Sequence, residues 1–478
     1  MDVLSAGMAA MPIQDAALNG LRLVEYELTL FAAFWFVIGI ADELAVDLFY
    51  GWLRLFRRNR THQLKGDISA RPLQGIAAVL IPAWQEVAVI GTTIAHALKV
   101  WPQQDLRLYI GCYVNDPETL LAAMLAADSD TRVRIVIHEK HGPTTKADCL
   151  NRLYRALRDD ELRSGVTVRM IVLHDAEDMV HPAALALMDT AITDADFVQI
   201  PVRPEPQANS RWIAGHYVDE FTESHAKAMV VRDALGAALP AAGVGCAFSR
   251  GVLGDMARRN MQDGLDGPFE AECLTEDYEL GLMVARSGKH SRFMRLRDHD
   301  GSLIATRSCF PGSLQEAVRQ KTRWVHGIAF QGWERMGWWG RPVDIWMAMR
   351  DRRGPLVAMV LAVAYFLIIL SPMLLVADRS GQTAIPAESP LLKLLIVICL
   401  FGLIWRAAMR FMFTAREYGA TEGLRAVLRI PVANIIAIMS GRRAFTAYLR
   451  SFFGHAPAWD KTVHKAHPAL LLVGGESA

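Results

Sequence analysis

Hydrophobic positions fall into two patterns along the chain. Long, uninterrupted apolar runs lie towards the two ends, while short β-rich runs alternating with helix-period stretches fill the middle. The run from Pro355 to Ala377 contains no charge, and as a helix rising ~1.5 Å per residue it covers a ~30 Å hydrocarbon layer. It predicts a transmembrane helix. A second run, Leu391 to Ala408, has its apolar centre between Leu394 and Trp405, with Lys393 and Arg406 placed where long side chains snorkel to the interface. Near the start, Leu28 to Ala41 is shorter, and Val24, Tyr26 and Leu44 extend it towards spanning length. A cleaved signal peptide fits this stretch poorly, because Glu25 and Glu27 stand where basic residues belong and no small-residue cleavage site follows. Ile430 to Met439 is too short to span and reads as interfacial or re-entrant.

From about Arg71 to Met349 the alternation of strand and helix patterns is that of a mostly parallel sheet covered by helices. Strands are expected at Ile76 to Ile81, Leu106 to Val114, Val133 to His138, Val166 to His174 and Phe197 to Pro201. The chain thus divides into an N-terminal helix with a basic flank (1–60), an α/β domain (61–340) and a membrane-associated remainder with a tail (341–478). Arg54, Arg57, Arg58, Arg60 and Lys65 follow the first helix, Arg350, Arg352 and Arg353 precede the second, and Arg406, Arg410 and Arg416 close the third. The connecting loop holds only Arg379, while Arg442, Arg443, Arg450, Lys461 and Lys465 line the tail. This asymmetry puts the α/β domain and the tail on the cytoplasmic side of an inner membrane.

Charge narrows the choice of partner. Fifty-one Lys and Arg stand against 50 Asp and Glu in 478 residues, a net charge of +1, which provides no field for gathering nucleic acid. Six dispersed cysteines form no CxxC pair, so no zinc cluster or disulfide framework is indicated and a reducing compartment fits.

In an open α/β sheet the ligand sits beyond the carboxyl ends of the strands, so the polar residues just after the apolar runs carry the candidate chemistry. Pro82-Ala83-Trp84-Gln85-Glu86 follows the first strand and Asn115-Asp116 the second. Glu86 could equally be an acid in a helix's first turn, and Asp116 a helix cap. Thr144-Thr145-Lys146 places a lysine at a helix start, near N–H groups that suit phosphate; alone, such a lysine is as well explained as a solvated charge. The densest signal is His174-Asp175-Ala176-Glu177-Asp178, three carboxylates in four residues directly after an apolar strand. In extended backbone Asp175 and Glu177 share a side and Asp178 points away. Such oxygens suit a hard cation that also grips a diphosphate, Mg²⁺ or Mn²⁺, against the plainer reading of an acidic turn. Leu274-Thr275-Glu276-Asp277 opens a helix that Thr275 can cap, and Asp277 is the candidate general base for a hydroxyl. Gln320-Lys321-Thr322-Arg323-Trp324 joins an amide and a guanidinium, which grip phosphate or hydroxyl oxygens, to an indole that stacks on a sugar ring. Trp324, Phe330, Trp333, Trp338 and Trp339 then recur ahead of the second membrane helix, the pattern of an interfacial helix, with Lys321, Arg323 and Arg335 facing water or phosphate.

The ordered set IPAWQE, YVND, TTKADCLN, HDAED, LTEDYE and QKTRW resembles the family 2 glycosyltransferases with a GT-A (Rossmann-like) fold, over roughly residues 71 to 340. The flanking helices resemble those of membrane-integrated members such as cellulose and hyaluronan synthases, and HDAEDMVHP with the long insertion before LTEDYE is most similar to the phage-adsorption (NfrB-like) branch. The resemblance implies that Glu86, Asp116, Lys146 and Asp175 contact a nucleotide-sugar, and that Asp175 with Glu177 or Asp178 forms the DxD-type metal motif, Glu standing here for its second Asp. It further implies that Asp277 is the catalytic base, and that Gln320, Arg323 and Trp324 form the QxxRW motif of processive synthases. Gly243 to Phe248, with Gly245 and Cys246, resembles the small-residue loop beside the acceptor. The activity implied is inverting transfer from a nucleotide-diphosphate sugar, UDP-linked, to a growing polysaccharide, with a glycan or lipid-linked acceptor, membrane lipid and an envelope export partner. Single-sugar transfer to a lipid phosphate is the enzymatic alternative, and a non-enzymatic membrane scaffold the other. Larger relatives of that branch carry a C-terminal regulatory domain; with the chain ending soon after Trp459 to His464, such regulation is expected to be absent or borne elsewhere.

Overall fold

Along the strand Ala77–Pro82 successive side chains point to opposite faces, and both faces are apolar, so this segment can only be the centre of a sheet covered on both sides. The computed structural model, which describes residues 13–56, 61–262, 264, 266–378, 389–454 and 467–470, has it so. Ala77, Val79 and Ile81 pack into one core with Ile90, Ile94 and Met188, while Ala78 and Leu80 enter the other with Leu150, Leu153 and Leu280. The strands are β1 (Ala77–Pro82), β2 (Leu106–Tyr113), β3 (Val133–His138), β4 (Met170–Leu173), β5 (Phe197–Gln199), β6 (Val202–Pro204), β7 (Cys246–Ser249), β8 (Ser291–Phe293) and β9 (Thr306–Ser308). Seven form one sheet in the order β3-β2-β1-β4-β7-β5-β8, and β6 with β9 form a small second one.

The pairs β1/β2, β2/β3, β1/β4 and β5/β8 are parallel, as expected of a mostly parallel sheet. β7 is inserted antiparallel between β4 and β5, which the apolar pattern did not announce. The chain runs outward from β1 through β2 to β3, then returns to place β4 on the other side of β1. That reversal opens a crevice at the carboxyl ends of β1 and β4, where ligands of such sheets bind. β4 is shorter than the expected Val166 to His174: the preceding helix Lys146–Ser164 closes on Gly165 in the left-handed conformation, and the ladder starts only at Met170.

Among the described residues, three helices are long and apolar enough to cross a membrane, within Ala17–Leu55, Gly354–Ala377 and Pro390–Tyr418. The first helix, Ile13–Leu55, is much longer than its apolar centre. Ala420–Leu428 and Ile430–Ser451 form a pair bent by 48°, either a broken span or a re-entrant segment, so the helix after Arg429 extends well beyond the expected Met439. Arg406, expected to snorkel, pairs with Glu223 at 2.7 Å and Glu43 at 3.2 Å. Asp42 and Glu43 of the first helix also hold Arg353, and Lys227 is buried against Asp47 and Glu223. The α/β domain is thereby clasped to the membrane helices by charge pairs, since an unpaired charge at such depth is costly. Arg57, Arg58, Arg60, Arg379, Lys461, Lys465 and the Trp459 to His464 segment lie outside the described residues.

The aromatic run is not one interfacial helix. Trp324 packs with Tyr217, Phe221 and Phe310, Trp339 joins Tyr278 and Leu282, and Phe330 stacks on Tyr448 at 4.4 Å. Trp333 and Trp338 alone of the five remain about half exposed, at 49% and 48%. Lys321 pairs with Glu220, and Arg335, though exposed, pairs with Glu270 and Glu279.

Candidate active site

A cavity of about 1230 Å³, open to solvent, lies over the carboxyl ends of β1 and β4. Its walls include Glu86, Lys146, Asp175, Glu177, Asp277, Gln320, Arg323 and Trp324, residues that the sequence scatters over more than two hundred positions. Each arrives on a different piece of backbone. Glu86 follows β1 in an irregular turn in which Gln85 has φ 53°, and it precedes the helix Ile90–Val100 rather than lying in its first turn. Lys146 opens Lys146–Ser164, whose cap is Thr145, accepting from the Asp148 N–H at 3.1 Å. This directs the helix N-terminus and the ammonium at the same space.

After β4 the chain turns, and the three acids separate. Asp175 and Glu177 line the cavity. Asp178, 1% exposed, turns inward, where its carboxylate accepts from the Asp175 N–H at 3.0 Å and the Ser308 hydroxyl and lies 2.9 Å from His174 Nδ1. These bonds occupy Asp178 with holding the turn. Of the two acids left open by the sequence, Glu177 is therefore the one that can join Asp175 in holding a hard cation, with Glu86 on the same cavity wall. Among the described residues, three potential ligand atoms within 4.8 Å of one another occur at Asp67, Asp298 and His299, none of which lines the cavity. In the cavity it is the Lys146 ammonium that sits against Asp175, at 2.6 Å.

Asp116 is not brought to the cavity wall. It caps the helix Pro117–Ala127, accepting from the Thr119 N–H, and binds the Gln85 N–H at 2.5 Å, so it shapes the turn that carries Glu86. Gly245 and Cys246 are likewise absent from the wall, to which Ala242 and Val244 contribute. Cys246 is fully buried in β7 instead of lying in a loop.

Asp277 opens the helix Glu276–Arg286. Burial pushes its carboxyl pKa upward, against the opposing pull of Lys146, and Glu276 beside it is pushed up to about 7 by burial and by the Asp277 charge. Two adjacent acids sharing a buried site hold a proton between them more readily than either would alone. Gly243 comes directly against the Asp277 carboxylate with φ +76°. Thr275 does not cap through its side chain; its hydroxyl and the Gln320 carbonyl oxygen are buried polar atoms of this site without a partner among the described residues. Such atoms are costly unless a ligand satisfies them.

The sequence did not single out Trp84, Tyr113, Cys309 and Phe310, which also line the cavity. Trp84 meets Tyr113 edge-on at 5.0 Å, Tyr113 stacks on His138 at 5.0 Å, and its hydroxyl lies 2.7 Å from Thr144 Oγ1. Position after β1 and at the end of β2 was the available signal for the first two. Cys309 and Phe310 follow β9, a three-residue strand too short to be read.

Comparison with known proteins gives this site a context. The sequence model of the family described as "Glycosyltransferase like family 2" matches residues 74–327. Bacteriophage adsorption protein B of Escherichia coli K12 is 31% identical over 473 residues, covering 94% of this chain and 62% of that protein. Bacteriophage N4 adsorption protein B of Escherichia coli O157:H7 matches to the same extent. The chain thus spans about 62% of the length of these curated relatives. Among solved structures, a mannosyltransferase from Pyrobaculum calidifontis in complex with GDP-Man and Mn²⁺ is similar with a TM-score of 0.47 at 14% identity, over 84% of this chain and 98% of that one. A glucosyl-3-phosphoglycerate synthase from Mycobacterium tuberculosis, in complex with Mn²⁺, UDP and phosphoglyceric acid, gives 0.33 at 16% identity, over 55% and 79%.

Proposed function

The chain belongs to the family 2 glycosyltransferases, and from that premise we propose that it moves a sugar from a nucleotide-diphosphate sugar, UDP-linked, to a growing polysaccharide at the cytoplasmic face of the inner membrane, processively and coupled to export. One observation carries this reading: one cavity gathers the half-buried carboxylate of Asp277, the Asp175 and Glu177 pair, the Lys146 ammonium and the Gln320, Arg323, Trp324 trio. The charge clasp and the helix pair around Arg429 tie that cavity to membrane helices, as suits a product handed to the bilayer.

The reaction is a single inverting displacement. Asp277 accepts the proton of the acceptor hydroxyl while that oxygen forms its bond to the anomeric carbon, and the bond from that carbon to the diphosphate oxygen breaks on the opposite side. Lys146 and the N-terminus of its helix take up negative charge on the departing diphosphate. A divalent cation held by Asp175 and Glu177, Mg²⁺ or Mn²⁺, supplies further stabilisation of that charge when bound. Trp324 offers a face for the acceptor sugar, and the unpaired Gln320 oxygen accepts from one of its hydroxyls. Base and charge stabilisation each lower the barrier by about 2 to 5 kcal/mol.

Purified membranes incubated with a panel of nucleotide sugars, with products read by mass spectrometry, test this. Wild type should yield polymer and Asp277→Asn should retain nucleotide binding while transfer falls by about 10²-fold or more. A lipid-linked monosaccharide as the sole product would overturn processivity, and transfer by Asp277→Asn within a few-fold of wild type would remove the base.

A further inference from the structure

Lys146 sits where a second role is written into the geometry. Its ammonium is 2.6 Å from Asp175 Oδ1, its side chain is one-fifth exposed, and Glu276 and Asp277 lie close enough to act on its charge. Five acids, Glu86, Asp175, Glu177, Glu276 and Asp277, share this cavity with it. A buried cluster of carboxylates needs a compensating cation to remain ionised. Among the described residues, the lysine, and not a third ligating acid, stands against Asp175.

Resting on the proposed transferase reading, we infer that Lys146 is a tethered counter-ion that holds the metal position of Asp175 until a nucleoside diphosphate arrives. A divalent cation and an ammonium cannot both sit within ~3 Å of one carboxylate oxygen without strong repulsion. Lys146 is also the first residue of its helix, where free N–H groups attract diphosphate. A diphosphate docking at that helix start draws the ammonium onto its own oxygens, and Asp175 is then released to ligate. The order of assembly follows: nucleotide and metal enter together, and metal alone binds weakly. The lysine also keeps the acids from repelling one another while the cavity is empty, which makes the same residue a positioning group for Asp175 before binding and a diphosphate contact after it.

Mn²⁺ binding to the purified full chain, read from the free-ion paramagnetic resonance signal, tests this. Without nucleotide, Lys146→Met should bind Mn²⁺ about tenfold more tightly than wild type, because a positive charge beside the ligand is gone. Lys146→Arg, which keeps the cation, should stay as weak as wild type. Adding UDP should tighten Mn²⁺ binding strongly in wild type and much less in Lys146→Met. Should Lys146→Met fail to fold, Lys146→Gln carries the same expectation. Mn²⁺ affinity in either neutral variant no higher than in wild type would overturn the counter-ion role while leaving the transferase reading intact. Absence of any Mn²⁺ binding by wild type with UDP present would instead sink the metal-dependent reading on which the inference stands.

Discussion

Replacing Gly243 by alanine isolates the placement of the Asp277 carboxylate, the proposed base. Gly243 has φ +76°, and a Cβ built there would fall on the Asp277 carboxylate. Two costs follow. The left-handed backbone costs a non-glycine residue ~1–2 kcal/mol, which is a stability term. The steric contact is different in kind, because it is relieved most cheaply by moving the Asp277 side chain. A ~1 Å displacement of a reacting group costs about 10²-fold in rate, or ~2.7 kcal/mol of barrier. Gly236→Ala is the matched control: its φ of +62° brings the same backbone strain, while its nearest neighbour, Arg341 Nη1, is 3.9 Å away. Initial rates of glycosyl transfer at saturating donor, beside nucleotide affinity by calorimetry and thermal unfolding, separate the two. Both variants should unfold a few degrees early and bind nucleotide as wild type does, but only Gly243→Ala should lose transfer. If the two variants transfer equally well, the argument that Gly243 is small in order to admit the base is wrong.

The rate of transfer should fall as pH drops below about 7, since Glu276 is pushed up to about 7 and Asp277 is raised with it, and a proton held by the pair blocks the base. Glu276→Gln removes the neighbouring charge and should shift the midpoint of the pH profile to lower pH; a midpoint that stays in place would dissociate the two acids. The linked effect on stability has a definite sign: the folded state holds protons that the unfolded chain releases between about pH 4.5 and 7, so this pair makes stability decline as pH rises through that window. For the membrane face, brominated-lipid quenching should reach Trp333 and Trp338 in single-Trp variants and spare Trp324 and Trp339, which are packed inside; equal quenching of all four would contradict the packing described.

Local rules acting on local sequence were enough for a large part of this molecule. Uncharged runs of spanning length define membrane helices wherever they occur, because unsatisfied backbone is intolerable in hydrocarbon. Runs apolar on both faces define the interior strands β1, β2 and β4. The grouping of Asp175 with Glu177 and apart from Asp178 was expected of extended backbone, but it is a turn after β4, held by Asp178, that puts the first two on the cavity and the third inside. Tertiary structure decided what depends on contacts distant in sequence. The short strands β6 to β9 hold too few residues to show a period and exist because a partner pairs with them. Asp116 became a cap and a brace for the Glu86 turn because the ends of β1 and β2 lie side by side. Arg406, an apparent snorkelling residue, found Glu223 and Glu43. The aromatic run after Trp324 was divided between core and surface by neighbours on other helices. The meeting of Lys146 with Asp175, some thirty positions apart in sequence, has the same origin: periodicity assigns each residue to an element, and only the crossover that lays β4 beside β1 brings their charges within reach of one another.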